Sequence, residues 1–135
     1  MNQVKTINSG DKYVHISVGN LQSFEGKQFV KDATGATSCE ISFGTLPVGE
    51  SVPFFHSHRK NEENYIILSG AGKFQVDGEV FDVAEGSVIR VATNCDRNLK
   101  CTSAPITYIC IQAKEGSLDA YTMTDAEITT RENLM

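Results

Sequence analysis

Short apolar runs separated by polar, glycine-containing turns dominate this chain, and such a pattern predicts β-strands rather than helices. The clearest run is residues 65–68, Tyr-Ile-Ile-Leu. Its length and β-branched content favour a strand buried on both faces. The following Ser69 and Gly70 are typical of a strand end, so we expect the strand to stop there.

A hairpin is predicted next, because residues 73–76 and 79–83 flank the dipeptide Asp77-Gly78. This dipeptide favours a type I′ turn, which requires positive φ at both positions. A two-residue turn pairs Val76 with Glu79 and Phe74 with Phe81. One face of the hairpin is then apolar and is expected to face the core: Phe74, Val76, Phe81 and Val83.

Further strands are predicted on both sides of this region, which makes the chain all-β. They cover residues 13–18, 28–31, 38–45, 87–92, 100–102 and 106–113, with turns at 84–86 and 103–105. Ile111 is expected in the strand that closes the barrel. The first 36 residues carry the weakest pattern, and we expect them to form strands that cover a sheet edge or pair with a second copy in a homodimer.

The pattern changes after residue 117. Thr124-x-x-Glu127 has the form of a capping box, and Asp125 places negative charge where a helix dipole favours it. A short C-terminal helix over residues 125–133 is therefore predicted.

Composition narrows the functional classes. A length of 135 residues predicts one domain with a real core. The net charge of −5, without any basic run, argues against nucleic acid or an anionic membrane as the main partner. The polar N-terminus and the lack of a long apolar stretch predict a cytoplasmic protein.

The four cysteines form no C-x-x-C pair, so neither a zinc ribbon nor a thioredoxin-type motif is present.

Three good metal ligands lie within eight residues: His56, His58 and Glu63. Alternate side chains of an extended segment point to one face, so the two imidazoles are expected side by side. The polar residues 59–62 allow the chain to fold back and bring Glu63 alongside, although the neighbouring Glu62 leaves the choice of carboxylate slightly open. Two imidazoles and a carboxylate suit divalent iron, zinc, manganese, nickel or copper.

The same residues resemble the first motif of the cupins, a family of small β-barrels. In that motif a glycine precedes His-x-His, a glutamate and a closing glycine, and Gly49, His56, His58, Glu63 and Gly70 fit it. The resemblance covers residues 38–113 and implies a double-stranded β-helix, or jelly-roll barrel. Residues 1–36 would then form an N-terminal arm, and residues 117–135 a C-terminal helix and tail.

The second cupin motif is degenerate. Gly78 and Gly86 match its glycines, but Ala84 stands where the motif has proline, and Arg97 stands where it has the third histidine ligand. An arginine is a permanent cation and does not ligate metals. Two arrangements would preserve a metal site. Arg97 could point outward, or a thiolate from Cys95 or Cys101 could take the missing position.

Two functions follow from the resemblance. The first is a metal-dependent cupin acting on a small polar organic molecule, with oxygenase- or isomerase-type chemistry and with Tyr65 as a candidate acid-base group. The second is a non-catalytic binding protein without metal, in which Glu63 pairs with Arg97 or Arg90 and Arg97 anchors an anionic ligand. An outward Arg97 favours the first function and an inward Arg97 the second. The sequence contains no catalytic triad, phosphate loop or dinucleotide fingerprint.

Overall fold

A computed structural model describes residues 4–135 of the chain. It has eight strands and two single-turn helices in this part of the chain. In chain order they are β1 (Lys5–Ser9), β2 (Val14–Ser17), β3 (Lys27–Phe29), α1 (Lys31–Thr34), β4 (Glu40–Leu46), β5 (Asn61–Val76), β6 (Glu79–Ala84), β7 (Val88–Val91), β8 (Arg97–Lys114) and α2 (Thr122–Asp125). Neither helix has the length and apolar character that crossing a membrane requires.

An antiparallel sheet organises the chain around its two longest strands. Its order is β3-β4-β8-β5-β6, and β7 pairs with β5 on the same sheet. The strands β5 and β8 run beside each other from Asn61↔Lys114 to Val76↔Arg97. This mostly β architecture confirms the predicted all-β fold class.

The predicted strand end at Ser69 and Gly70 is wrong, because β5 continues through these residues to Val76. The pairing with β8 shifts register here, which marks a β-bulge. Gly70 has φ +92°, and a Cβ at this position would overlap the carbonyl oxygen of Pro105. Gly70 therefore bends a continuous strand instead of ending it.

The predicted turn at residues 103–105 is wrong for the same reason. β8 is one strand of 18 residues, and Ala71 pairs with Ala104 while Gly72 pairs with Cys101. The two residues of β8 between these pairs have no counterpart on β5, so the register of the pairing shifts here. Turn-type residues next to a proline are also found at bulges, so the sequence signal was real but had a different structural meaning.

The predicted register of the hairpin is confirmed, but the predicted type I′ turn is wrong, because Gly78 does not have the positive φ that this turn requires. Val76 pairs with Glu79 and Phe74 with Phe81, and Asp77 has φ +50°. Phe74 and Val83 are buried in the main core, as expected for the inner face. Phe81 lies on the same face but remains 39% exposed, because β6 is an edge strand.

Buried side chains form one main core inside the sheet and a smaller cluster under the N-terminal segment. The main core includes Tyr65, Ile67, Phe74, Val91, Leu99, Ile106 and Tyr108. The smaller cluster contains Val18, Phe24 and Val30. β1 and β2 form a separate two-stranded sheet, and every residue of β1 is exposed.

A short C-terminal helix is present, as predicted, but at an earlier position. α2 covers Thr122–Asp125 with Tyr121 as its N-cap, and the chain after Ala126 is not helical. Ile128, which a helix over residues 125–133 would need to bury, is fully exposed. A helix of that length without an apolar contact is marginal in water, so the local capping signal did not suffice.

Candidate metal-binding cavity

Pairing across the sheet brings chemically active side chains into neighbouring rows on its inner face. Glu63 of β5 lies opposite Gln112 of β8, and two residues further along Tyr65 lies opposite Cys110. Both Glu63 and Tyr65 are almost fully buried. Because alternate residues of a strand share a face, the glutamate and the tyrosine point into the same interior.

The two histidines lie on the segment before β5, which is held against β8. The backbone N–H of Arg97 donates to the carbonyl oxygen of His56 at 3.0 Å, and that of Asn94 donates to the carbonyl oxygen of His58 at 2.8 Å. The side chain of Asn98 adds bonds to the carbonyl oxygens of Val52 and Phe54. The imidazole rings are 5.2 Å apart, centroid to centroid, and nearly perpendicular.

His56, His58 and Glu63 converge as the sequence predicted. The distance from His56 Nε2 to Glu63 Oε1 is 3.9 Å, and that from His58 Nε2 to Glu63 Oε2 is 3.7 Å. These separations are too long for hydrogen bonds. Two atoms that bind one zinc ion lie up to ~4.2 Å apart, since each is about 2.1 Å from the metal. One potential ligand atom from each residue can be chosen so that all lie within 4.8 Å of one another.

Several buried polar atoms at this place have no hydrogen-bond partner in the protein: His56 Nδ1, His58 Nε2, Glu63 Oε1, and Nε and Nη2 of Arg97. Unpaired buried polar atoms are rare and usually mark a bound water, ion or ligand. The donor set of two imidazoles and a carboxylate fits a divalent transition metal. The residues present therefore suit such an ion.

The electrostatics of His56 also suit metal binding. Burial lowers its pKa below the usual 6.5, and the opposing attraction of Glu63 does not reverse this shift. The positive charges of Arg97 and Lys27 lower it further. His56 is consequently neutral at neutral pH, which is the form that binds metals.

Arg97 points inward and is 1% exposed, so the outward orientation considered from the sequence is wrong. Its Nε lies 3.9 Å from Glu63 Oε1, and its Nη1 donates to the carbonyl oxygen of His56 at 3.3 Å. Of the two ion pairs considered for Glu63, the structure contains the one with Arg97, while Arg90 pairs with Glu62 on the surface. Glu62 therefore lies outside the cluster.

Tyr65 lies inside the site, and the two candidate cysteines do not. Burial raises the pKa of the Tyr65 phenol strongly, and a hydrogen bond with Glu63 adds to this shift. The Cys101 thiol donates to the carbonyl oxygen of Ala104 at 3.0 Å, and the Cys95 thiol lies 3.5 Å from the carbonyl oxygen of Thr93. Neither belongs to the group of potential metal ligands found among residues 4–135.

A cavity of about 460 Å³ opens above the cluster. Its volume falls in the range of small-molecule sites. Its lining includes three polar residues that sequence reasoning missed: Lys27, Tyr108 and Gln112. No local motif marks them, since they reach the cavity through the long-range pairing of β3, β4 and β8.

Comparisons with known proteins identify the fold. The family described as Cupin domain matches residues 42–112. A cupin protein from Bacteroides fragilis is 34% identical over 96% of this chain and 99% of its own, with a TM-score of 0.75. No curated protein sequence matches the chain significantly.

Two further solved structures share the fold at lower similarity. A predicted oxalate decarboxylase from Thermotoga maritima is 24% identical, covering 55% of this chain and 64% of its own, with a TM-score of 0.52. KdgF from Halomonas sp. is 11% identical, covering 67% and 79%, with a TM-score of 0.57. With the domain match over residues 42–112 and the full-length similarity to the Bacteroides protein, this chain belongs to the cupin family.

Proposed function

We propose that this chain binds a divalent metal through His56, His58 and Glu63 and acts on a small polar organic molecule in the cavity above them. The observation that carries the proposal is the convergence of these three side chains with buried ligand atoms left unpaired by the protein. Three protein ligands also leave coordination positions open, as sites that act on substrates do.

A bound metal would supply a Lewis acid and, in the case of iron, a site for dioxygen, which fits oxygenase- or isomerase-type chemistry. The chain's own residues would orient the substrate. Tyr65 is a protonated phenol next to Glu63 and can donate a hydrogen bond or a proton. Phe54 and Leu46 line the cavity and exclude water from part of it.

A second candidate function is favoured by the inward orientation of Arg97. In a metal-free protein Arg97 would neutralise Glu63, and the cavity would serve as a binding site for a small ligand without catalysis. The separation of 3.9 Å and the near-complete burial of both side chains support this alternative.

Metal content separates the two functions. Protein purified without a histidine tag and without added metal is expected to contain about one equivalent of one transition metal, measured by elemental mass spectrometry. The double variant His56→Ala/His58→Ala is expected to lose it, while His15→Ala, a change on the distant β2, should retain it. A wild-type protein that remains metal-free after incubation with iron, zinc, manganese, nickel and copper would support the second function instead.

We further propose that the protein is a homodimer that pairs through its N-terminal strands. β1 is exposed along its whole length, and Ile7 and Tyr13 are each 56% exposed. Light scattering is expected to give about twice the chain mass of 14.7 kDa. The variant Ile7→Asp should be monomeric and the surface variant Ser23→Asp dimeric, whereas a monomeric wild-type protein would refute the proposal.

A further inference from the structure

Lys27 lines the cavity, is exposed to solvent, and carries a positive charge that has no assigned role. Its amine lies 5.4 Å from the ring centroid of Phe29 and 5.7 Å from that of Tyr108, and 3.8 Å from the Cys110 thiol. Contacts with two aromatic faces restrict a side chain that is otherwise flexible. We propose that Lys27 binds the acidic group of the cavity's ligand, so that the ligand is a small organic anion; this inference extends the proposed function of the same site.

The charge balance of the cavity supports an anion. Among the described residues that line it, Glu63 is the one carboxylate, and Arg97 already lies 3.9 Å from it. The ion pairs found within residues 4–135 include none for Lys27. One positive charge is thus left uncompensated, and a metal at the cluster would add two more.

The strand pairing shows that the position of Lys27 is built into the fold. Lys27 of β3 pairs with Gly44 of β4, and Gly44 pairs with Tyr108 of β8. The Tyr108 ring lies over Gly44, where a Cβ would be only 2.7 Å from the tyrosine hydroxyl oxygen. The missing side chain lets Tyr108 lie beneath the Lys27 amine.

Two tyrosine phenols and several apolar side chains also line the cavity and limit which ligands fit it. Tyr65 and Tyr108 both line the cavity, with their ring centroids 6.3 Å apart. A tyrosine hydroxyl is a hydrogen-bond donor at neutral pH and can donate to a carboxylate. The cavity is also lined by the apolar residues Leu46, Val52 and Phe54. The ligand class that fits is a monocarboxylic acid with an apolar body.

Calorimetric titration of the full chain with acetate, hexanoate, benzoate and phenylacetate tests this inference, with the corresponding neutral amides as controls. At least one acid should bind at millimolar concentration and more tightly than its amide. Lys27→Met should weaken that acid about 10- to 100-fold, the range expected for losing a charged hydrogen bond. Lys27→Arg should retain binding within a few-fold, and Lys12→Met, which removes the same charge from an exposed turn, should leave it unchanged.

Three results would overturn the inference: no acid binds, an amide binds as tightly as its acid, or Lys27→Met binds like the wild-type protein. Metal content of the same samples separates this outcome from that of the proposed function. Lys27-dependent binding by a metal-free protein would refute the metal site and uphold the anion site. A metal-containing protein in which Lys27→Met leaves acid binding unchanged would uphold the metal site and refute the anion site.

Discussion

Glu63→Gln is expected to lower the free energy of unfolding by about 3 kcal/mol, since it leaves Arg97 as an uncompensated buried charge. Glu63 and Arg97 are 3% and 1% exposed, so bulk water screens the remaining charge poorly. Arg97→Met should lower the free energy of unfolding by a similar amount, because it leaves the buried Glu63 carboxylate without a positive partner. Urea denaturation in the presence of a chelator measures both changes without any contribution from metal.

The double variant Glu63→Gln/Arg97→Met tests whether the two charges stabilise each other. It should be more stable than the sum of the single changes predicts, because it removes both charges together. The surface pair of Glu62 and Arg90 is the matched control, and Glu62→Gln should change stability by less than about 1 kcal/mol. Strict additivity of the two buried changes would contradict the coupling.

Arg97→His is expected to strengthen metal binding about a hundredfold, provided that the cluster binds metal as proposed. The cation now competes for Glu63, and its attraction at 3.9 Å is about 4 kcal/mol at an effective dielectric constant of 20. The substitution removes this competition and adds a neutral imidazole, which is a good ligand for zinc, iron and copper. Competition with a chromophoric chelator measures the affinity.

Arg97→Met separates the two contributions to this gain. It removes the positive charge without adding a ligand, so we expect an increase of about tenfold, smaller than that for histidine. Circular dichroism must first show that both variants are folded, given the stability changes described above. An affinity for Arg97→His equal to or below that of the wild-type protein would mean that Arg97 does not oppose metal binding.

Local spacing was sufficient to predict the centre of the site. His56 and His58 are two residues apart, Glu63 is the first buried position of β5, and the short polar segment between them lets the chain fold back, so all three could be predicted from local sequence. The register of the Asp77-Gly78 hairpin was predictable for the same reason, because a two-residue loop fixes which neighbouring residues pair.

Long-range pairing explains what could not be predicted. Lys27 reaches the cavity through two successive strand pairings, and nothing near it in sequence indicates which strands will be neighbours. The bulge at Gly70 had the composition of a turn, and its role depends on the facing backbone of Pro105. The orientation of Arg97 likewise depends on Glu63, which is 34 positions earlier in the chain.

The nested pairing of β5 with β8 has a consequence for the order in which the barrel folds. The pair Val76↔Arg97 closes a loop of about 20 residues, whereas Asn61↔Lys114 spans about 50. The shorter closure is favoured by ~0.8 kcal/mol of chain entropy, and later pairs extend a ladder that already exists. Glu63 lies near the long end, opposite Gln112, so strand pairing that extends along this ladder reaches the candidate metal site last.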